Sequence, residues 1–311
     1  MGIGVNGVGW PHRLARLTAG ATVALIVAGG LVTNTGAALA VPVWPTTFGH
    51  NLFLFPWSGM VGGVLVEHGH RLLAASIGLL TVLLAVALRL GDARRWVWGL
   101  GVVAVGLVSV QGLIGGLRVV LLRETLALVH GGLAQLFFAL LVGIAVVTGR
   151  EWRTPSVMPA DLHRLTSLAY LAVAVVYGQI LLGAFTTHGP AAWWHVAGAV
   201  VTTGVLAGVA LAVLRGAWDD PVLAWWARAV EGLLLVQLLL GVGAYAVRFT
   251  GLAVPGGQVA VVALPVLHRA VGALVLGSTV ALALQLGRRR ALGVLAPTAA
   301  RIVDTRTEAM A

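Results

Sequence analysis

Long blocks of apolar residues, separated by short polar connections, fill most of the chain. Each block is close to the roughly 20 residues that an α-helix needs to cross a bilayer. The pattern predicts an all-α integral membrane protein with eight transmembrane helices. No small-residue cleavage site cleanly follows the first block, so we expect that block to be a span rather than a signal peptide. The expected bounds are 14–33, 61–88, 96–117, 125–148, 163–185, 191–214, 222–247 and 263–286.

The composition excludes most other classes of protein. Of 311 residues, 59% are hydrophobic and only 10% are charged, and the mean hydropathy is +0.98. A soluble domain carries about 25% charged residues, so a soluble enzyme, a disordered chain and a nucleic-acid binder are all excluded. The chain has no cysteine, which rules out disulfides, thiolate metal sites and thiol catalysis.

The positive charges predict an orientation in the membrane. The net charge is +10, and all 20 basic residues are arginine. Cytoplasmic connections of membrane proteins are enriched in arginine and lysine, so the uneven distribution predicts a multi-pass protein of the plasma membrane with both termini in the cytoplasm. Fifteen arginines fall in the termini and alternate connections, namely Arg13, Arg16, Arg89, Arg94, Arg95, Arg150, Arg153, Arg164, Arg215, Arg228, Arg288, Arg289, Arg290, Arg301 and Arg306.

The first outer connection, at about 34–60, is long, uncharged and rich in Pro, Trp and Phe. A loop of this composition is expected to lie among the outer lipid headgroups rather than to extend into water. Two interpretations remain open. The loop is either a hydrophobic cover for the bundle or a lid that admits an apolar substrate from the lipid.

The two halves of the chain resemble each other in order. The His-Arg-Leu run at 12–14 corresponds to 163–165, and Gln111 on the third segment corresponds to Gln237 on the seventh. We therefore predict two pseudo-symmetric four-helix bundles, 1–150 and 151–311, related by an axis along the membrane normal.

Four histidines occupy corresponding places in this repeat. His70 and His130 stand near the outer ends of the second and fourth segments, and His195 and His268 stand near those of the sixth and eighth. Ionisable side chains within spans are costly and mark functional sites. Two imidazoles facing each other inside a four-helix bundle suit the axial ligation of a haem iron, so each half is predicted to hold one haem. Zinc or copper would favour three or four clustered ligands.

Charged residues accompany two of these histidines. Arg71 and Arg269 directly follow His70 and His268, and either a haem propionate or the outer headgroups would satisfy their charge. Glu67 lies one helical turn before His70, and the second half has no acidic residue at the corresponding place. This carboxylate is predicted to move protons or to stabilise positive charge at the first haem site, and the alternative is an ion pair with Arg71 or Arg123.

The motifs resemble those of the haem A synthase family. They are GGLVTNTGAALAVPVWPTTFG, EHGHRLLAASIGLLT, LVHGGLAQLFFALL and VLHRAVGALVLG, and the resemblance covers nearly the whole chain. Membership would imply an enzyme that oxidises a methyl group of haem O to the formyl group of haem A for terminal oxidases. It would also imply that the half with Glu67, His70 and His130 receives haem O, and that His195 and His268 hold haem b. Some members carry a cysteine pair that this chain lacks.

Two other functions fit parts of the pattern. A di-haem membrane electron carrier linked to quinol explains four histidines but leaves Glu67 and the long loop unexplained. A haem transporter or chaperone explains the loop but needs no second haem. The sequence leaves open a homo-oligomer and direct docking of a haem O synthase or of oxidase assembly factors.

Overall fold

The computed structural model describes residues 9–153, 163–188 and 192–308, and this part of the chain is helical apart from its connections. Eight of its helices are long and apolar enough to cross a membrane. A helix of 25 residues is about 38 Å long, which exceeds the roughly 30 Å of a bilayer's hydrocarbon core. The helices are α1 (Trp10–Asn34), α2 (Gly62–Gly91), α3 (Arg95–Leu121), α4 (Glu124–Thr148), the short α5 (Arg150–Arg153), α6 (His163–His188), α7 (Ala192–Gly216), α8 (Pro221–Tyr245) and α9 (Gly257–Glu308).

The eight predicted spans are confirmed as helices, and the largest difference concerns the last one. The sequence predicts a span over 263–286, whereas α9 runs from Gly257 to Glu308. Its apolar part, Gly257–Leu292, is long enough to cross the bilayer. The segment that follows continues the same helix although it contains Gly293 and Pro297. A π-helical turn, Ala246–Thr250, extends α8.

The spans pack as two groups of four. In the first group, α1 packs against α2 and α4, and α3 packs against α2 and α4. In the second group, α6 and α8 each pack against α7 and α9. Each group has its own buried core, centred on residues such as Ile77 and Leu141 in the first and Leu206 and Leu276 in the second.

The two groups meet mainly along α4 and α9, with further packing of α1 on α9 and of α4 on α6. Small residues permit this close approach. Phe138 of α4 lies so near Gly277 of α9 that a Cβ at Gly277 would be 2.9 Å from the ring. Close packing over small residues is the usual way that helices associate in lipid, where no hydrophobic driving force acts between them.

Polar ties hold the end of the bundle at which α1, α3, α6 and α8 begin, here called the arginine end. The His12 ring bonds to the Ala145 carbonyl at 2.9 Å and so links α1 to α4. The buried Arg289 of α9 pairs with Asp220, the residue that caps α8, at 2.7 Å. Asp92 pairs with Arg94; burial acts to raise the pKa of the Asp92 carboxyl, but the hydrogen bonds and charge of Arg94 outweigh it and lower that pKa.

The opposite end, at which α2, α4, α7 and α9 begin, is here called the histidine end. The long connection 35–61 covers the first group of helices there. Trp44 packs on α3 so closely that its indole leaves no room for a Cβ at Gly116. The side chains of Phe53, Leu54 and Trp57 remain largely exposed, at 69%, 77% and 82%. An apolar surface of this kind suits contact with lipid, as the composition of the connection predicts.

Candidate functional site

The four predicted histidines all lie within the first twelve residues of their helices, towards the histidine end, and each packs on a glycine of the preceding span. A Cβ at the glycine would lie 2.8–3.2 Å from the Cε1 atom of the ring, closer than carbon atoms normally approach. The glycine is therefore required for the ring to approach the neighbouring helix this closely. The pairs are His70 on Gly29, His130 on Gly115, His195 on Gly183 and His268 on Gly241.

Three of these glycines follow a glutamine by one helical turn, and each glutamine hydrogen-bonds to the histidine. Gln111 donates from Nε2 to the His130 carbonyl at 2.9 Å, and its own carbonyl accepts from His130 Nδ1 at 3.1 Å. Gln179 donates from Nε2 to the His195 carbonyl at 2.8 Å and lies 3.0 Å from His195 Nδ1. The helix pairs α3–α4 and α6–α7 are thus tied at the histidine by the same residue type.

Gln237 forms a related contact with His268. Its carbonyl accepts from His268 Nδ1 at 3.2 Å, and its side-chain Nε2 lies 3.3 Å from His268 Nε2. An Nδ1–H bond to a backbone carbonyl leaves the lone pair of the imidazole on Nε2, which is the arrangement of a metal-binding histidine. The Gln237 amide must move aside for that nitrogen to reach a metal.

His70 lacks this support. The residue one turn before Gly29 is Leu25, and His70 Nδ1 is buried with no hydrogen-bond partner among the described residues. The Oε1 atoms of Gln111, Gln179 and Gln237 are also buried and unpaired. Most buried polar atoms in native proteins are hydrogen-bonded, so their concentration at the four histidines marks this end of the bundle as functional.

The second histidine pair has the geometry of a two-ligand metal site. The rings of His195 and His268 are perpendicular, with centroids 6.1 Å apart. An imidazole–metal bond is about 2 Å long, so one metal atom fits between the rings. His70 of α2 and His130 of α4 occupy the corresponding positions in the first group of helices. The described residues contain no group of three or more histidines or carboxylates that could hold a metal ion. A porphyrin, which supplies the other four nitrogen ligands itself, therefore fits these pairs better than a bare ion.

Glu67 and Arg71 form an ion pair that holds the long connection. Arg71 Nη2 donates to Glu67 Oε1 at 2.7 Å and to the Val41 carbonyl at 2.7 Å, and Arg71 Nη1 donates to the Val43 carbonyl at 2.8 Å. Glu67 Oε2 accepts from Val41 N at 2.9 Å, and Glu67 is only 4% exposed. The sequence left two interpretations of Glu67 open, a functional carboxylate or an ion pair with arginine, and the structure shows the ion pair with Arg71. This pair holds the negative charge of Glu67 in place, one helical turn from His70.

Arg269 has no such partner. It follows His268 as Arg71 follows His70, yet it makes no hydrogen bond or ion pair within the described part of the chain. A partly buried arginine without a carboxylate partner favours an anionic group beside it. A propionate beside His268 would satisfy this requirement.

His68 explains how α2 can carry two histidines with different roles. Its side chain points away from the pair site, is 1% exposed, and its Nδ1 lies 2.9 Å from Thr47 Oγ1 of the connection. Phe55 packs on the same imidazole, with ring centroids 5.0 Å apart. Three side chains of the motif at 67–71, those of Glu67, His68 and Arg71, therefore bind the connection. The fourth, His70, faces the candidate site. His50 lies beside Phe55, whereas the His188 side chain lies outside the described residues.

The four histidines stand out as candidates in the sequence, whereas the contacts of the glutamines with them were not predicted. The signal was present, because Gln followed four residues later by Gly recurs on the third, fifth and seventh spans, at 111–115, 179–183 and 237–241. Only the spatial arrangement shows that both members of this pattern face a histidine of the next span. The ion pairing of Arg71 with the loop was likewise not predicted in detail, since it depends on the path of the connection.

Fold and site together define a multi-pass helical membrane protein with two histidine pairs suited to haem. Residues 58–194 match the family model described as cytochrome oxidase assembly protein. The chain is also 27% identical over 190 residues to the heme A synthase of Shouchella clausii (strain KSM-K16), a match that covers 57% of this chain and 58% of that relative. These findings support the haem A synthase family, to which the motifs already pointed. The range matched by the family model contains Glu67, His70 and His130 and ends one residue before His195.

Proposed function

We propose that this protein oxidises the methyl group of haem O to the formyl group of haem A, for use in terminal oxidases. The N-terminal half, 1–150, binds the substrate haem O, and the C-terminal half, 151–311, holds haem b. The observation that carries the proposal is the asymmetry between two otherwise similar sites. Within the described part of the chain, only the first site has a buried carboxylate within one turn of a candidate ligand and an apolar connection folded over it.

His70 and His130 would hold the iron of the substrate haem between α2 and α4. Each ring is positioned by close packing on a glycine, which limits the orientations open to the imidazole. Arg71 is assigned to the propionate side of the same site. Because Arg71 already bonds to Glu67 and to the connection, substrate binding there would be coupled to the position of residues 41–46.

Glu67 is the proposed catalytic residue. Its two oxygens accept hydrogen bonds from Val41 N and Arg71, so its negative charge is fixed in a site shielded from water. A fixed charge of this kind suits the stabilisation of an electron-poor carbon at the porphyrin rim. Transfer of a proton to Glu67 would require the ion pair with Arg71 to open first.

His195 and His268 would hold the iron of haem b, and Arg269 would pair with a propionate of that haem. Haem b would supply electron transfer to and from the first site. The perpendicular rings, and the absence of a protein partner for Arg269 in the described part of the chain, support this assignment. No carboxylate corresponds to Glu67 in the second half, where the turn before His195 carries Trp193 and Trp194.

The arginine distribution supports a location in the plasma membrane, with the arginine end facing the cytoplasm and the histidine end facing outward. The exposed apolar side chains of the connection 35–61 support delivery of haem O from the lipid phase. Direct transfer from a haem O synthase, contact with oxidase assembly factors and formation of a homo-oligomer are part of the same proposal.

The test is expression of the protein together with a haem O supply, followed by extraction and mass analysis of the bound pigments. We expect haem b and, in addition, haem O, its alcohol derivative or haem A. Recovery of haem b alone at both sites would instead favour the di-haem electron carrier. Recovery of unmodified haem O after prolonged turnover conditions would favour a haem carrier without enzymatic activity.

A further inference from the structure

A cluster of arginine and tryptophan side chains lies at the arginine end, where the two groups of helices meet. Three elements supply it, namely the start of α3, the short α5 and the last part of α9 that is apolar enough to cross the membrane. The two indole rings have centroids 6.5 Å apart, and a guanidinium group lies over each of them at 5.2 and 5.7 Å from the centroid. We call this cluster the arginine–tryptophan patch; its members are Arg94, Trp96, Trp152, Arg153 and Arg288.

One buried carboxylate, that of Asp92, is shared by two arginines of the patch. Its side chain is 4% exposed, and it accepts hydrogen bonds from Arg94 N at 3.0 Å and from Arg94 Nε at 2.8 Å. Arg153 Nη2 lies 3.5 Å from the same carboxylate, and the Arg153 side chain is 56% exposed. Since a single negative charge already engaged by Arg94 cannot also neutralise Arg153, the exposed guanidinium of Arg153 has charge to spare.

Arg288 is held in place without being neutralised. It donates from Nε to the Trp152 carbonyl at 3.3 Å and lies over the Trp152 ring. These contacts orient the guanidinium but carry no full negative charge. Within the described part of the chain, Arg288 forms no ion pair with a carboxylate, and neither does any patch arginine with the exposed Glu151. The patch therefore carries a surplus of positive charge.

The surroundings of the patch are those of a lipid headgroup. It lies at the ends of membrane spans, and tryptophan side chains are enriched at that depth. Trp96 and Val103 are both exposed and lie two turns apart on one face of α3. An acyl chain can follow this face into the membrane, while guanidinium groups match the oxygens of a phosphate.

We propose that the arginine–tryptophan patch binds the phosphate of an anionic phospholipid of the phosphatidylglycerol class, with the acyl chains along the exposed face of α3. Basic clusters between spans are a recognised mode of anionic-lipid binding. Arg288 belongs to the second group of helices, whereas Arg94 and Arg153 belong to the first, so the bound lipid stabilises the contact between the two groups. The proposal does not depend on the haem sites.

Titration of the full-length, haem-loaded protein in neutral detergent with phosphatidylglycerol, followed by native mass spectrometry, tests the proposal. One phosphatidylglycerol should be retained with an affinity at least about tenfold higher than that of phosphatidylcholine. Arg153→Gln and Arg288→Gln should each lower this affinity about fivefold, as expected for the loss of one arginine at a membrane surface. Arg215→Gln is the matched control, because it removes an exposed arginine from the end of α7, outside the patch, and should bind as the unmodified protein does.

The same lipid should raise the Tm of the unmodified protein and of Arg215→Gln more than that of Arg288→Gln, because only the last has lost a contact across the two groups. If Arg288→Gln does not fold, Arg153→Gln and the charge-preserving Arg288→Lys, which should keep most of the affinity, still decide the matter.

Three outcomes would overturn the proposal. Equal retention of phosphatidylglycerol and phosphatidylcholine would show that the patch does not select for charge. Equal losses in Arg153→Gln, Arg288→Gln and Arg215→Gln would show that only the net charge of this end of the bundle matters. Displacement of the lipid by equimolar inorganic phosphate would make the patch a site for the free ion rather than for a lipid.

Discussion

Replacing Glu67 by glutamine removes one negative charge from the first site with almost no change in shape. In the structure, one carboxylate oxygen faces Arg71 Nη2 at 2.7 Å and the other faces Val41 N at 2.9 Å. Glutamine offers one oxygen and one NH₂ group, so one of these two donors must then face another donor. The variant therefore loses a hydrogen bond as well as the charge.

The size of the structural effect follows from burial. Leaving one buried donor without an acceptor costs about 1–3 kcal/mol. Arg71 keeps its bonds to the carbonyls of Val41 and Val43, so its charge stays solvated by the loop and the cost stays at this level. A multi-span protein with two buried cores should tolerate that loss and still bind both haems. If Glu67 stabilises charge in the reaction, turnover should fall on the order of 10²-fold or more.

The assay is pigment analysis after co-expression with a haem O supply. We expect Glu67→Gln to retain haem b and to accumulate haem O or its alcohol derivative. Arg71→Gln is the informative control, because it breaks the same ion pair and leaves the carboxylate in place. Thr47→Val is a second control, since it breaks the neighbouring bond between the connection and His68 without touching Glu67.

Two results would refute the catalytic assignment. Formation of haem A at the normal rate by Glu67→Gln would reduce the residue to an anchor of the connection. Equal losses in Glu67→Gln, Arg71→Gln and Thr47→Val would show that the position of the connection, and not the charge of Glu67, limits the reaction.

Three further predictions concern the ligands, their packing and the connection. His195→Ala or His268→Ala should abolish low-spin haem b in optical and electron paramagnetic resonance spectra, since a site with one of two ligands removed binds iron far less tightly. Gly183→Ala should displace the His195 ring, because the new Cβ would lie 2.9 Å from Cε1, and haem b retention should fall about tenfold. Gly178→Ala is the control, because nothing lies within 4 Å of a Cβ at that position, and this variant should retain haem b fully. Phe53→Ser, at a side chain that is 69% exposed, should slow substrate uptake with haem b intact, and unchanged turnover would make the connection a cover only.

The spans could be predicted from sequence because the bilayer imposes a simple rule. A helix must bury its backbone polar groups and present about 20 apolar residues, and both conditions are visible in one dimension. The end of α9 could not be predicted in the same way. Beyond Leu292 the residues are no longer constrained by lipid, and whether a polar segment continues a helix depends on propensity and local contacts rather than on a hydrophobic pattern.

The ligand candidates could be predicted because ionisable residues are rare in spans, and because the repeat gave each histidine a counterpart. The hydrogen bonds around these four histidines could not be predicted from the sequence. Whether Arg71 reaches a headgroup, a propionate or the connection depends on the path of residues 41–46, which approach α2 only in three dimensions. The contact of Gln179 with His195 likewise joins two spans, and periodicity within one helix carries no information about it.

Three departures from the internal repeat fall on one side of the N-terminal half. Leu25 is on α1, Glu67 is on α2 and the long connection joins those two helices, whereas Gln111 and His130 of α3 and α4 have counterparts in α8 and α9. A site that must admit a substrate, react with it and release a product needs one face that can change, and a permanently held cofactor needs none. The carboxylate, the apolar connection and His70 with its unpaired Nδ1 all lie on the α1–α2 side. The helices α3 and α4 are therefore free to hold the substrate, as α8 and α9 would hold the cofactor. The direction from which haem O approaches is therefore expected to be the α1–α2 face.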